Sequence, residues 1–146
     1  MFQKIAQLPW LRFILAWFIT FSLASICHSQ FNLWRLQQVD VLIPLDERVS
    51  FTAQDWLGLL PTYGVIIAIA LILAFSVTNM IMKYLLAARP YQQLLTIIAG
   101  ALSILTVHSI LYPILNVTLI AGARDSGLVI QMLCGALGGW AFYKQH

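Results

Sequence analysis

The chain of 146 residues carries a formal charge of +3, with 61% hydrophobic and 9% charged side chains and a mean hydropathy of +0.87. Soluble domains carry about a quarter charged residues, so this composition excludes an ordinary water-soluble domain and makes lipid the main solvent. The eight Lys and Arg stand singly, with no basic cluster to follow a phosphate backbone, which argues against nucleic acid as a partner.

Lys4 and Arg12 flank a charge-free stretch from Phe13 to Phe31, which predicts a first membrane span over about 9–31. Ser22-Leu23-Ala24 has the small residues of a signal-peptide cleavage site, but the apolar character continues beyond it. Ala16, Thr20 and Ala24 recur every four residues as a face for close helix packing, so the segment reads as a retained helix. Bulky Ile26 before Cys27 argues against a lipidated cysteine.

Residues 32–55 hold four of the five acidic residues, Asp40, Asp46, Glu47 and Asp55, and read as a solvated outer loop. Leu33, Leu36, Val39 and Leu42 recur at three to four residues with polar residues between them. This predicts a short amphipathic helix on the membrane surface, ended by Pro44. Val49 and Phe51 alternate with Ser50 and Thr52 like a short strand, and Thr52 with Asp55 predicts the cap of the next helix.

No charged side chain falls between Trp56 and Met82, which predicts the second span over 56–82. Pro61 and Gly64 are placed to bend it, and Gly64 with Ala68 offers a close-packing patch. Residues 83–93 form a polar connection, with Pro90 suited to the first position of the following helix. The third span is expected over 94–115, and 116–125 forms a second outer loop. The last span is expected over 126–143, where Gly135 and Gly139 make a GxxxG pair. With four spans, Lys4, Arg12, Lys83, Arg89 and Lys144 share one side, against Arg35, Arg48 and Arg124 on the other. The positive-inside rule then puts both termini in the cytoplasm of a bacterial inner membrane.

No Asp, Glu, Lys or Arg falls at the centre of a span, which argues against a proton-coupled pump built on a membrane carboxylate. Cys27 and Cys134 belong to no CxxC pair and read as packing residues, leaving a thiol-exchange enzyme unsupported. The five tryptophans, Trp10, Trp17, Trp34, Trp56 and Trp140, fall mostly toward span ends, where indoles anchor at the interface. Asn116-Val117-Thr118 matches a glycosylation acceptor, an incidental match so close to the membrane.

At about 1.5 Å per helical residue, Tyr63, His108 and Gln131 come out roughly 8–10 Å below the outer boundary on three different helices, with Ser25 and His28 approaching from the first. If they converge, they form a polar pocket roofed by Arg48, Asp55, Arg124 and Asp125, suited to a quinone, a lipid headgroup or a small polar solute. The simpler reading is that they hydrogen-bond one another as packing glue. A haem held by His28 and His108 ranks below both, because the two are offset by several Å in depth along the bundle. No cofactor, metal or catalytic residue is indicated.

The stretches RVSFTAQDWLGLLPTYG and NVTLIAGARDSGLVIQMLCGALGGW resemble segments of a family of small four-span bacterial inner-membrane proteins. The resemblance implies a four-helix membrane bundle and carries no activity, substrate or site residue. The expected protein is therefore an all-α, noncatalytic, multi-pass inner-membrane bundle, structural or accessory within a membrane complex, its partners being the bilayer and a membrane protein or second copy. The alternative is a small transporter or lipid- or quinone-binding bundle using the outer pocket.

Overall fold

Between Trp10 and Gln37 no glycine or proline interrupts the chain, and one helix, α1 (Pro9–Gln37), runs through, with Pro9 at its first position, where a missing N–H costs nothing. The computed structural model, which describes residues 9–115 and 126–144, is helical throughout, with no strand among the described residues. Three of its helical stretches, Trp10–Gln37, Leu45–Tyr84 and Ala87–Leu111, are long and apolar enough to cross a membrane.

The region expected as a surface helix and a strand folds differently. Residues 33–37 continue α1, which closes on Asp40 in the left-handed conformation (φ 60°). The Val41 N–H reaches the Leu36 carbonyl at 3.3 Å and the Asp40 N–H that of Gln37 at 3.3 Å, a Schellman closure in which Asp stands where Gly is commonest. Pro44, with φ −58° and ψ 156°, then launches a second helix instead of ending one. That helix, α2 (Leu45–Leu59), carries Asp46 and Glu47 in its first turn, where acids complement the helix dipole. It absorbs the alternating residues 49–52, because a period of two sustained over four residues is too short to compete with an uninterrupted helical run.

A π-helical turn (Leu60–Gly64) joins α2 to α3 (Val65–Tyr84), so residues 45–84 form one rod of about 60 Å, twice the hydrocarbon thickness of a bilayer. Pro61 and Gly64, the positions expected to bend the span, both fall in this turn. Leu85 (φ −110°, ψ 88°) breaks α3, a 3₁₀ turn (Leu86–Tyr91) follows, and α4 (Gln92–Leu115) starts two residues after Pro90. The expected loop over 116–125, with its Asn116-Val117-Thr118 acceptor, lies outside the described residues. α5 (Ser126–Lys144) completes the chain as described.

α5 lies between α1 and α4, and small residues set both contacts. A Cβ placed on Gly135 would come within 2.2 Å of the Gly100 carbonyl oxygen, and one on Gly139 within 2.3 Å of the Thr96 carbonyl oxygen. The GxxxG pair therefore serves the α4–α5 contact within the chain. On the adjoining face of α5 Gly138 faces Thr20 and Ala16, and Ala16, Thr20 and Ala24 are fully buried. A Cβ on Gly64 would instead meet the Phe21 ring at an ordinary 3.5 Å, and Ala68 is half-buried. The core joins Phe21, Ile67, Leu71, Phe75 and Ile104, with Phe75 stacked on Phe142 at 4.4 Å between centroids.

Candidate functional site

Tyr63, His108 and Gln131, expected at one depth on three helices, are in contact in the folded chain. Tyr63 sits in the π turn, His108 on α4 and Gln131 on α5. The Tyr63 hydroxyl donates to Gln131 Oε1 at 3.4 Å and lies 3.3 Å from His108 Nε2, while Gln131 Nε2 donates to the Ala24 carbonyl of α1 at 2.9 Å. One proton arrangement satisfies all three contacts: with His108 protonated on Nε2, the imidazole donates to the phenol oxygen, the phenol to the amide oxygen and the amide to the backbone. Gln131 is fully buried and Tyr63 nearly so. The cluster ties four helical segments together through one amide and one phenol.

A second set of polar groups lies beyond it, toward the α1–α2 connection. Asp55 accepts a hydrogen bond from Ser29 Oγ at 2.5 Å and lies 3.7 Å from His28 Nε2, which in turn is 3.0 Å from Asn32 Nδ2. Gln30 Nε2 donates to Thr52 Oγ1 at 3.0 Å and Trp56 Nε1 to Ser22 Oγ at 3.2 Å. Ser25 Oγ and His28 Nδ1 are buried without a hydrogen-bond partner among the described residues. The roof expected over the pocket divides: Asp55 is drawn to α1, Arg48 lies about two turns away along α2, and Arg124 and Asp125 lie outside the described residues. His28 and His108 each have Nε2 engaged by a neighbouring side chain, and no group of three or more His, Cys, Asp or Glu suited to a metal occurs among the described residues.

Several contacts carried no sequence signal. Trp17, expected as an interfacial anchor, instead donates to the Gly64 carbonyl at 2.7 Å, holding an oxygen of the π turn, and it stacks on Phe21 at 6.0 Å. Phe21 also meets Trp56 at 5.3 Å, which makes an aromatic cluster beside the π turn. Cys27 and Cys134, read as unrelated packing residues, bring their sulfurs to 4.0 Å across the α1–α5 contact, both as free thiols. Their separation of 107 residues hid the pairing.

Two cavities open elsewhere, and neither is lined by Tyr63, His108 or Gln131. One, about 550 Å³, runs between α3 and α4 along Leu73, Val77, Ile81, Ile98 and Leu102. The hydroxyls that border it, those of Thr78, Ser103 and Thr106, all donate to carbonyls of their own helices, so its wall is apolar. The other, about 400 Å³, lies between α1 and α2 and includes Arg48.

Fold and site together define an all-helical protein with three stretches able to cross a membrane and an interhelical polar cluster at its centre. Comparison with family models, with curated proteins and with solved structures finds no match to the chain.

Proposed function

We propose that the chain is a noncatalytic, multi-pass protein of the bacterial inner membrane, crossing it four times with both termini in the cytoplasm, and that it serves as a structural or accessory component of a membrane complex. The observation that carries this reading is the closure of the polar cluster on itself: Tyr63, His108 and Gln131 spend their hydrogen bonds on one another and on Ala24. Polar side chains that satisfy each other inside a bundle act as packing glue. A fourth crossing is supported by α5, whose one basic residue, Lys144, stands in its last turn and whose length of about 28 Å approaches that of the hydrocarbon core.

A second reading, a transporter or lipid- or quinone-binding bundle, is favoured by Ser25 Oγ and His28 Nδ1, which are buried without a partner among the described residues. Native mass spectrometry of the protein released gently from its own membrane separates the two. A stoichiometric partner protein is the outcome expected of an accessory subunit. A bare chain that carries a reproducible quinone or solute, lost on His108→Ala, would overturn that reading in favour of the second.

A further inference from the structure

The cavity between α1 and α2 has a polarity that changes along its length. Ile26 and Gln30 stand one turn apart on α1, and Arg48, Thr52 and Trp56 stand at successive turns of α2, with Val49 and Ala53 beside them. The Gln30–Thr52 hydrogen bond fixes the register of the two antiparallel walls. From the start of α2 inward, the lining therefore passes from the Arg48 guanidinium to the Gln30 amide and Thr52 hydroxyl, and then to Ala53, Ile26 and the Trp56 ring, about 12 Å in all.

Arg48 is half-buried, yet it has no carboxylate within ion-pair distance among the described residues. Asp46 and Glu47 precede it in sequence without pairing, and Asp55 is committed to Ser29 and His28. A planar, always-charged fork of donors at the polar end of such a groove recognises an oxyanion, phosphate above all. The apolar end is open at the surface of the bundle, since Ile26 is 42% exposed and Phe18, which packs edge-on against Trp56, is 48% exposed.

We infer that this groove is a binding site for one anionic phospholipid, its phosphate on Arg48 and its acyl chain along Ile26, Ala53 and Trp56. A free phosphate would use the guanidinium and leave the apolar end bare, whereas a phospholipid matches both ends in the order in which they occur along the groove. The site goes beyond the accessory reading and stands whether or not the chain has a protein partner.

The test uses the full chain, delipidated in a neutral detergent and titrated with dioleoyl phosphatidylglycerol or with dioleoyl phosphatidylcholine, which has the same chains and no net charge. Native mass spectrometry reads the retained lipid. The wild-type chain should retain a single phosphatidylglycerol about fivefold or more in preference to phosphatidylcholine, near the contribution of one Arg to an anionic lipid surface. Arg48→Gln should abolish that preference, Arg48→Lys should keep part of it, and Ala53→Trp, which fills the apolar end without touching the charge, should lower retention of both lipids. Equal preference in wild type and Arg48→Gln, or unchanged retention in Ala53→Trp, would overturn the assignment. Binding of inorganic phosphate as tight as that of the lipid would reduce it to a bare anion site and equally overturn it.

Discussion

The α4–α5 contact rests on the absence of three methyl groups, at Gly100, Gly135 and Gly139, and adding one tests it. A Cβ on Gly135 would lie 2.2 Å from the Gly100 carbonyl oxygen and 2.7 Å from Ile104 Cγ1, against about 3.4 Å for ordinary contact. The first obstacle is backbone, so the helices must separate by roughly 1 Å, which loosens every contact along a seam that also includes Gly139 over Thr96. Overpacking of this kind costs about 1–3 kcal/mol, and its backbone origin puts Gly135→Ala toward the upper end. Gly64→Ala is the internal control, because its Cβ would meet the Phe21 ring at a comfortable 3.5 Å. Equilibrium unfolding in mixed micelles of dodecylmaltoside and increasing SDS, followed by circular dichroism, reads both variants. The expected pattern is a loss of about 2–3 kcal/mol for Gly135→Ala and a change within about 0.5 kcal/mol for Gly64→Ala. Equal stability of the two alanine variants would refute the glycine-mediated contact and leave Gly135 and Gly139 available to another chain.

Two further predictions concern contacts between distant parts of the chain. A membrane-permeant copper–phenanthroline oxidant, with dioxygen as electron acceptor, should join Cys27 to Cys134 within one molecule. The product should be two hydrogens lighter and migrate faster on a nonreducing gel; two thiols that remain alkylatable would contradict the α1–α5 register, since the sulfurs start only 4.0 Å apart. Trp17→Phe keeps an aromatic ring beside Phe21 but removes the donor to the Gly64 carbonyl, and should lower stability by about 0.5–1.5 kcal/mol in the same micelle assay.

The parts of the fold legible in the sequence are those governed by a fixed rise per residue. Apolar runs gave the helices, four-residue spacing gave the buried face at Ala16, Thr20 and Ala24, and depth counting placed Tyr63, His108 and Gln131 on one level, where they do meet. What failed was local. Residues 32–55 are amphipathic enough to be read as surface helix, strand or loop, and the outcome turned on Asp40 accepting a left-handed backbone, an event that composition does not announce. Lateral pairing away from the small-residue face was equally hidden, because the azimuth of large apolar residues on a helix that is apolar on all sides leaves no mark in its sequence. The Ser29–Asp55, Trp17–Gly64 and Cys27–Cys134 contacts all depend on that azimuth.

The proposed function requires the Tyr63 cluster to hold the bundle together and not to serve as a ligand site. A double-mutant cycle over Tyr63→Phe and Gln131→Leu measures it most directly, with micelle unfolding for stability and native mass spectrometry for retained small molecules. The account predicts a coupling of about 0.5–1.5 kcal/mol between the two side chains and the same set of retained molecules in all four proteins. Zero coupling, together with loss of a small molecule that the wild-type protein carries, would contradict it.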